Sequence, residues 1–295
     1  MVSMGHVSVS VIIPVYNDAE PLRKCMRALD EQTYSTKRYE VIVVDNASDE
    51  DINSVVESCS FARTLSEPQQ GSYAARNLGI QEAEGEILAF TDADCIPSST
   101  WIKKGVQRLT EETSCKLVGG RVDFYFQNTN CPTPAELFDS THFLNQKRYV
   151  SEGKFAATAN AFTWKRIFEE VGLFDETLHS GGDTEWGHRL HERGYNICYE
   201  EGARVKHPAR YSYRALRTKK LRILEGTTRS RKEEGYPLWE LVVHVVKDVG
   251  HHLKFALRTA VEEGYSLRET TELLIAFPFQ GICTASKRIE LWFRE

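Results

Sequence analysis

Three apolar runs in the first third of the chain have the length and spacing of buried β-strands. They are VSVSVII (7–13), YEVIVVD (39–45) and EILAFTD (86–92), and turn-forming residues follow them. Between the strands, residues 19–32 and 71–85 repeat apolar side chains at helical spacing, which predicts two helices. Strands that alternate with helices form a mostly parallel sheet flanked by helices, so we expect an α/β fold.

The second half of the chain has a less regular pattern. Strands are predicted over 118–126 and 154–162, and a helix over 182–194. Residues 195–207 predict two short strands. Beyond about residue 236 the chain has a helical pattern, and no internal repeat or low-complexity tract is visible.

Polar side chains follow three of the predicted strands at the point where each strand ends. Tyr16 and Asn17 follow the first strand, Asp45 ends the second, and Asp92 and Asp94 follow the third. In open parallel sheets, ligands bind outside the carboxyl ends of the strands. The convergence of these side chains at one edge therefore predicts a binding pocket.

The composition is that of an ordinary globular protein, with 295 residues, 41% hydrophobic and 27% charged. The seven cysteines form no C-x-x-C pair, and their number is odd. We therefore expect reduced thiols in a cytoplasmic protein, with neither a zinc site nor a disulfide framework. The first residues do not have the pattern of a signal peptide, and no run approaches the roughly 18 apolar residues of a membrane span.

Positive charge is concentrated near the end of the second half. Residues 204–232 contain eleven Lys or Arg against the single acid Glu225, a net charge of +10, which leaves −15 for the rest of the chain. Such asymmetry indicates an anionic partner for this basic segment. A solvated basic loop without a partner is the alternative.

The sequence contains neither a P-loop nor a G-x-G-x-x-G motif, so it does not hold phosphates in either of those ways. The D-A-D of residues 92–94 supplies carboxylates that suit Mg²⁺ or Mn²⁺, and such an ion can neutralise a nucleotide diphosphate. The alternative is a polar turn in which Asp92 caps the following helix.

An ordered set of motifs adds specificity to this short D-x-D pattern. The motifs are VSVIIPVYND, VIVVDNASDE, GSYAARNLGI, AFTDADC and VGLFDETLHSGGDTEWGHRL, followed by ARVKH. Together they resemble the family-2 glycosyltransferases with the GT-A fold, over about residues 7–208. The resemblance implies a Rossmann-like nucleotide-binding half and an acceptor half, which form a catalytic domain over 1–210. Residues 211–295 would be a basic loop and a helical C-terminal extension near the acceptor or a membrane.

The resemblance also implies which residues bind the nucleotide-sugar donor. Asp45 matches the aspartate that reads the base, typically uracil, and Asp92 matches the acid near the ribose and the donor sugar. The full set that matches the donor-binding motifs is Pro14, Tyr16, Asn17, Asp45, Arg76, Asn77 and Asp92.

The metal and the catalytic base follow from the same resemblance. Asp94 and His207 match the ligands of Mn²⁺ or Mg²⁺, and Asp183 matches the base that activates the acceptor. Asp183 also stands where a helix N-cap belongs, and the helix dipole would lower its pKa whereas burial would raise it. The family usually has Glu before this Asp, and here Gly182 stands in its place, so Glu185 is the alternative base.

Residues 158–164 match the acceptor-facing strand and loop of the family. Asn160 and Trp164 are therefore candidates for sugar contacts, although Trp164 equally fits core packing. The basic segment could fold over the donor diphosphate, or hold a lipid-linked pyrophosphate acceptor or anionic headgroups. The apolar stretches 238–246 and 273–279 either lie at a membrane surface or pack against the catalytic domain.

These features predict a metal-dependent, inverting glycosyltransferase. It would move a sugar from a nucleotide-diphospho-sugar, with UDP expected, to a hydroxyl of a glycan or lipid-linked acceptor in cell-surface polysaccharide or glycolipid synthesis. We expect a cytoplasmic protein that can be peripheral on the cytoplasmic face of the membrane, with no nucleic-acid partner and no sequence signal for an oligomeric state. The alternatives are a sugar nucleotidyltransferase and a catalytically degenerate scaffold that binds glycans.

Overall fold

A computed structural model describes residues 7–233, with side chains as far as residue 223, and the isolated residues 243, 250, 253 and 254. The chain divides into two units. The first comprises the residues up to 125 together with 143–208, and the second comprises 126–142 and the residues from 209 onwards. The second unit therefore takes in residues 126–142, which the division drawn from the sequence assigned to the catalytic domain.

The first unit is built around one eight-stranded sheet, whose strand order is β3-β2-β1-β4-β7-β6-β8-β5. The strands are β1 (Val9–Val15), β2 (Tyr39–Asp45), β3 (Ala62–Ser66), β4 (Ile87–Thr91), β5 (Ile96–Pro97), β6 (Cys115–Tyr125), β7 (Asn160–Trp164) and β8 (Asn196–Pro208). The β1–β2, β1–β4, β2–β3 and β6–β8 pairs are parallel. The other three pairs are antiparallel. The expected mostly parallel sheet is confirmed.

Helices connect the strands of this sheet and cover its faces. The helices of the described chain are α1 (Ala19–Asp30), α2 (Asn53–Val56), α3 (Ser72–Glu82), α4 (Trp101–Glu111), α5 (Pro134–His142), α6 (Gln146–Arg148), α7 (Lys165–Val171), α8 (Gly182–Glu192) and α9 (Tyr213–Glu233). A 3₁₀ turn covers Thr36–Arg38, and a π-helical turn, Tyr149–Gly153, follows α6. Strands β1, β2 and β4 are almost wholly buried because helices cover both faces, which explains their continuous apolar sequences.

The carboxyl end of β1 lies at a switch in strand order. From β1 the chain goes to β2 and β3 on one side, and β4 then pairs with β1 on the other side. The β1–β4 pairing ends at Ile12 and Phe90, whereas the β1–β2 pairing continues to Val15 and Asp45. Strands that separate in this way leave a crevice at their carboxyl ends, where ligands bind in open α/β sheets.

Two sequence-based predictions for the second half are corrected by the structure. The strand predicted over 154–162 begins only at Asn160, because the Gln146 side chain hydrogen-bonds the backbone of Ala157 and takes the place of a strand partner. The two short strands predicted over 195–207 are the single strand β8. Its pairing with β6 is irregular after Gly120, and this break in register resembles a boundary between two strands.

The expectation that all thiols are reduced is wrong for one pair. Cys115 on β6 and Cys198 on the neighbouring strand β8 form a disulfide across a sequence separation of 83 residues. Sequence spacing carries no signal for such a pair, because the pairing of β6 with β8 alone brings the two residues together. Cys25 and Cys95 are free and buried.

The second unit contains α5 and α9 among its described residues. The first turn of α5 is closed by a capping box, in which Glu136 accepts from the Thr133 N–H and Thr133 Oγ1 accepts from the Glu136 N–H. From Tyr213 to Glu233 the basic segment is the helix α9, which corrects the expected loop. Apart from the isolated residues 243, 250, 253 and 254, the chain beyond residue 236 lies outside the described residues, and with it the predictions for 238–246 and 273–279. Among the residues described, no helix is both long enough and apolar enough to cross a bilayer.

Candidate active site

Asp92 and Asp94 lie in the turn that follows β4. The turn is closed by a 3.0 Å hydrogen bond from the Cys95 N–H to the carbonyl of Asp92, so Asp92 does not cap a helix. Asp92 Oδ1 lies 2.6 Å from Nη2 of the buried Arg76. Asp94 Oδ1 is buried and accepts no hydrogen bond from the part of the chain that the structure describes. The two carboxylates therefore differ: one is held by an arginine, and the other has an oxygen available for a ligand.

His207 lies beside Asp94, with its Nε2 3.7 Å from Asp94 Oδ2. Strand pairing brings them together, because β5 begins two residues after Asp94 and its Ile96 pairs with Lys206 of β8. His207 Nδ1 lies 2.8 Å from the carbonyl oxygen of Pro208, which can only accept, so Nδ1 carries a proton. In the neutral ring, Nε2 then presents its lone pair towards Asp94, as metal-binding histidines do.

Four carboxylates approach one another around this turn. The pKa of Asp18 is raised to about 6, chiefly by burial and then by the charges of Asp94, Glu50 and Asp92. A divalent cation would relieve this repulsion, and carboxylate and imidazole ligands suit Mn²⁺ or Mg²⁺. Burial, followed by the charges of Asp94 and Asp92, raises the pKa of the Cys95 thiol well above its ordinary value, so this neighbouring thiol is a poor metal ligand. The residues present therefore fit a hard divalent metal.

Asp18 was missed by the sequence analysis, although a signal for it was present. It directly follows Asn17 in the same polar segment after the first strand. Only the fold shows that this segment faces the turn after β4, because β1 and β4 are neighbours in the sheet.

The loops after β1 and β2 are tied together by hydrogen bonds. The N–H of Asn17 donates to Ser48 Oγ at 3.0 Å, and Asn17 Oδ1 accepts from the Asp49 N–H at 2.8 Å. Asp45 Oδ1 accepts from the Ser48 N–H at 3.0 Å. Asn17 has a φ of +53°, a left-handed conformation that asparagine tolerates better than most residues. Asn17 and Asp45 thus belong to one preformed loop pair at the sheet edge.

Pro14 and Tyr16 lie next to this loop pair. Pro14 pairs with Val44 within the β1–β2 ladder, and Tyr16 follows the strand with 50% of its surface exposed. An aromatic ring exposed at the carboxyl end of a central strand is available to stack on a planar ligand.

Asn46 is a second residue that sequence reasoning did not single out. Its Nδ2 donates to the carbonyls of Glu67 and Gln69 at 3.0 and 2.7 Å, and its Oδ1 accepts from the Gly71 N–H at 2.7 Å. The side chain thereby holds the connection between β3 and α3. Its position directly after Asp45 was the available signal.

Arg76 and Asn77 lie on α3, and the structure gives them different roles. Arg76 joins Asp92 and also donates to the carbonyl of Ser72 at 3.2 Å. Asn77 uses its Nδ2 and Oδ1 to bind the carbonyl and the N–H of Phe174, at 2.9 and 3.0 Å. These two bonds anchor α3 and give Asn77 a structural role, while its predicted contact with the nucleotide sugar stays a prediction.

Asp183 lies in the first turn of α8, where Gly181 rather than Asp183 is the N-cap residue. Asp183 Oδ1 accepts from the Thr184 N–H at 2.9 Å and from Tyr73 Oη at 3.2 Å, and Oδ2 lies 3.4 Å from the Thr158 N–H. Burial raises the pKa of Asp183, although Arg76 and these donors partly oppose the rise. The carboxylate is densely surrounded, although the residue as a whole is only partly buried, which leaves room for a group that exchanges a proton with a substrate.

Glu185, the alternative base, is engaged elsewhere on α8. Its carboxylate binds the guanidinium of Arg189 through two contacts of 2.5 and 3.0 Å. Arg189 also donates to the carbonyls of Val171 and Leu173, both at 2.7 Å. This network attaches α8 to the end of α7, so the bonds of Glu185 are those of a structural ion pair.

Comparison with known proteins identifies the family to which this site belongs. Residues 10–172, somewhat more than half of the chain, match Glycosyl transferase family 2. The chain belongs to glycosyltransferase family 2. It is therefore an enzyme that transfers glycosyl groups, and the expected family is confirmed.

Individual relatives agree with this assignment. The glycosyltransferase is 40% identical over 223 residues to "Glycosyltransferase AglE" of Haloferax volcanii, which covers 74% of this chain and 72% of the relative. It is 30% identical over 217 residues to "Pre-mycofactocin glycosyltransferase" of Mycobacterium tuberculosis, covering 71% of this chain and 44% of that relative. The chain thus spans less than half the length of the second relative.

A solved structure shares the fold of this glycosyltransferase. It is the mannosyltransferase PcManGT from Pyrobaculum calidifontis in complex with GDP-Man and Mn²⁺, with a TM-score of 0.60 and 18% identity, covering 97% of this chain and 74% of that chain. At this identity the likeness concerns the fold alone, and the GT-A type architecture expected from the sequence is confirmed.

The two predicted acceptor residues of the glycosyltransferase are engaged in its core. Asn160 is fully buried, accepts from Trp101 Nε1 at 2.8 Å, and donates to the carbonyls of Arg121 and Ala203 at 2.8 and 2.9 Å. Both amide hydrogens and one lone pair of Oδ1 are therefore engaged by protein. These bonds give Asn160 a structural role in the fold, and the sugar contact proposed for it stays a prediction.

Trp164 lies at the wrong end of its strand for an acceptor contact. Strand β7 is antiparallel to β4, so Asn160 pairs with Thr91 beside the D-x-D turn, whereas Trp164 pairs with Ile87 four residues away. At about 3.3 Å per residue, Trp164 is displaced by roughly 13 Å along the strand. It is buried in the hydrophobic core, as the alternative reading of its sequence predicted.

Proposed function

We propose that this glycosyltransferase moves a sugar from a nucleotide-diphospho-sugar to an acceptor hydroxyl, with a divalent metal held by Asp94 and His207. The observation that carries the proposal is the buried Asp94 Oδ1, to which no described residue donates a hydrogen bond, within a cluster of acids and beside an imidazole whose Nδ1 is already protonated. A site built to be structurally complete would leave neither that oxygen unbonded nor those carboxylates in mutual repulsion.

We assign the nucleotide to the loop pair at the ends of β1 and β2. Asp45 accepts the base, Tyr16 stacks on a planar part of the nucleotide, and Pro14 and Asn17 shape the strand end. Asp45 Oδ1 already accepts from Ser48, and its other oxygen remains for a base N–H. UDP is the expected donor nucleotide, as the family resemblance implied. GDP must be tested beside it, because the PcManGT structure contains GDP-Man.

Charge on the leaving diphosphate is the main obstacle to transfer. When bound, Mn²⁺ or Mg²⁺ supplies Lewis-acid stabilisation of that charge. Arg76 holds Asp92 in place, and we assign this first acid of the pair to the ribose and donor sugar. Asp94 and His207 are the residues that would hold the ion.

Proton transfer from the acceptor hydroxyl is assigned to Asp183. Its raised pKa makes it a better base than an exposed aspartate, while the three donors around it favour the charged carboxylate and partly oppose the rise. Glu185 is a poorer candidate because Arg189 occupies its carboxylate. With one base and no enzyme nucleophile, the acceptor oxygen attacks the face opposite the leaving group, and the anomeric centre inverts. A purified product that retains the donor configuration would contradict this step.

We assign the anionic part of the acceptor to a cavity in the second unit. The cavity has a volume of about 400 Å³, and its lining includes Arg210, Ser212, Arg214, Thr218, Lys219 and Arg222. The fully buried Asp139 pairs with Lys219 Nζ at 3.0 Å and with Arg210 Nη1 at 3.3 Å. Among the described residues, one carboxylate lies against four cations, a net charge of +3. Burial, followed by the charge of Arg210, lowers the pKa of Lys219 to about 8, and a phosphate group would raise it again.

This acceptor assignment is tested with vesicles and with charge reversal. Arg222→Glu changes the cavity, whereas Arg217→Glu makes the same change on an exposed part of α9 outside the cavity lining. Co-sedimentation with phosphatidylserine vesicles that falls with salt, and that Arg222→Glu reduces more than Arg217→Glu, supports an anionic acceptor or membrane surface. Equal losses in both variants indicate a general charge effect, and no binding at any salt concentration rejects the assignment.

The donor and metal assignments are tested by calorimetric titration of UDP, GDP and dTDP, each with and without Mn²⁺. Binding of one nucleotide that requires Mn²⁺ and is lost in Asp94→Asn supports the proposal. The matched control is Asp30→Asn, which removes an exposed carboxylate at the end of α1. If the folded protein binds no nucleotide, the scaffold alternative is favoured. If a nucleoside triphosphate and a sugar phosphate are converted into a nucleotide sugar, the nucleotidyltransferase alternative is favoured.

A further inference from the structure

The residue before the proposed base is a glycine whose missing side chain is replaced by a tyrosine ring. A Cβ atom built on Gly182 would lie 2.8–3.0 Å from three ring atoms of Tyr73, closer than such atoms approach in real structures. Tyr73 is 5% exposed and packs against Phe174, with ring centroids 5.5 Å apart. The ring therefore has little freedom to move away, and a side chain at position 182 would displace it.

The hydroxyl of this ring makes two bonds to the same aspartate. Tyr73 Oη accepts from the backbone N–H of Asp183 at 3.3 Å and lies 3.2 Å from Asp183 Oδ1. Because the backbone N–H supplies one proton to Oη, the phenol directs its own proton to the carboxylate. Burial, followed by the charge of Asp183, raises the pKa of Tyr73, so the phenol stays protonated and remains a donor.

We propose that Tyr73 is a positioning residue for the Asp183 carboxylate, and that Gly182 is required because it admits the tyrosine ring. The proposal deepens the proposed function and rests on the role of Asp183 as the base. One hydroxyl fixes both the first turn of α8 and the direction of the carboxylate. It also stabilises the charged form of Asp183, because a hydrogen bond donated to a carboxylate favours ionisation.

Four groups of the described chain act on Asp183, so the effect of losing the hydroxyl can be stated. They are Tyr73 and Arg76 of α3, the Thr158 N–H before β7, and the Thr184 N–H of α8. Arg76 is the charged group among them, and it is paired with Asp92. Without the phenol, the pKa of Asp183 rises, and the acidic limb of the rate profile moves to higher pH.

The test is Tyr73→Phe, which keeps the ring and removes only the hydroxyl. We expect kcat to fall roughly tenfold or more, the size expected for losing a hydrogen bond to a charged group. We also expect an unchanged KM for the donor and an acidic limb shifted upwards. Tyr39→Phe is the matched control, because it removes another buried hydroxyl, bonded to the carbonyl of Leu29 at 2.8 Å, without contacting Asp183. A wild-type kcat and pH profile in Tyr73→Phe overturns the proposal.

A second variant tests the glycine, and a third separates this proposal from the proposed function. In the wild-type background, Gly182→Ala should move the acidic limb of the pH–rate profile to higher pH, as Tyr73→Phe does. In the Tyr73→Phe background it should add no further shift, because the hydroxyl is already absent. A full additional shift there contradicts the link between the two positions. If Asp183→Asn retains activity, the base assignment itself fails. If Asp183→Asn is inactive while Tyr73→Phe behaves as wild type, only the present inference fails.

Discussion

Replacement of Asp94 by Asn should make the metal-free glycosyltransferase more stable, although we propose that the same carboxylate binds the metal. In the structure, Asp94 Oδ1 is buried and makes no hydrogen bond with any described residue. The charge of Asp94 also raises the pKa of Asp18, after burial as the largest cause. Asn keeps the shape of the side chain but removes the charge.

The size of the effect can be bounded from Asp18. Its pKa rises from 3.8 to about 6. A change of that size corresponds to about 3 kcal/mol for a fully buried group, at about 1.4 kcal/mol per pKa unit. Asp18 is exposed by its surface area, and burial rather than charge is the larger cause of its shift, so after solvent screening we assign about 0.5–1 kcal/mol to the charge of Asp94. That corresponds to a rise in Tm of about 1–4 °C for a domain of this size.

The assay is thermal unfolding of wild type and Asp94→Asn at pH 8, in chelator and in excess Mn²⁺. In chelator the variant should melt above the wild type. In Mn²⁺ the wild type should melt above the variant, because an ion at one hundred times its Kd adds about 2.7 kcal/mol to the free energy of unfolding of the protein that binds it. This reversal in which protein has the higher Tm indicates a carboxylate cluster that destabilises the fold unless a cation is bound.

Two results would refute this reasoning. If Asp94→Asn melts below the wild type in chelator, Asp94 makes favourable contacts that outweigh the repulsion. If Mn²⁺ stabilises both proteins equally, Asp94 is not a metal ligand. Asp30→Asn is the control for a generic loss of negative charge. It should melt neither above the wild type in chelator nor below it in Mn²⁺.

Three further outcomes are expected. Asn160→Ala should lower the free energy of unfolding by about 3 kcal/mol, since it removes three hydrogen bonds and leaves the Trp101 indole N–H buried without its acceptor. Urea denaturation measures this change, and an unchanged urea midpoint of unfolding would contradict it. Asp18→Asn should flatten the pH dependence of Tm in chelator. Because its pKa is raised in the folded protein, Asp18 stabilises the fold at pH values below its ordinary pKa of 3.8. This contribution is lost as the pH rises through about 6. A variant profile as steep as that of the wild type would exclude Asp18 as the cause. Glu185→Gln should keep most of kcat and cost less than about 1 kcal/mol, because its partly exposed ion pair with Arg189 is weak; if its activity falls as far as that of Asp183→Asn, Glu185 is the base.

The parts of the fold that were predictable are those with strong local periodicity. Strand β2 has the predicted bounds, and β1, β4 and α8 lie within two residues of theirs, an ordinary uncertainty for element ends; α3 ends three residues before its predicted end. The polar ends of three strands were visible for the same reason, because a continuous apolar run that stops at Asp45 or Asp92 marks where a buried strand reaches the sheet edge.

Sequence reasoning was weakest where tertiary contacts replace local pattern. Asn160 looks like a polar residue at a strand end, and only the indole of Trp101 and two distant carbonyls show that its amide is occupied. Trp164 was placed near the acceptor because the sequence does not state the direction of β7, and an antiparallel strand reverses which end faces the site. The Cys115–Cys198 disulfide likewise depends on the pairing of two strands far apart in the sequence.

By itself, the sequence determined the class of fold, the family and the residue types of the site, since these follow from periodicity, composition and ordered motifs. The tertiary structure alone decided which of those residues meet. Arg76 reaches Asp92, Tyr73 reaches Asp183, and His207 reaches Asp94 because neighbouring strands and helices bring together side chains that are separated by 16, 110 and 113 positions. Hydrogen bonds and charge interactions depend on distance in space and burial, and local sequence patterns specify neither between segments so far apart.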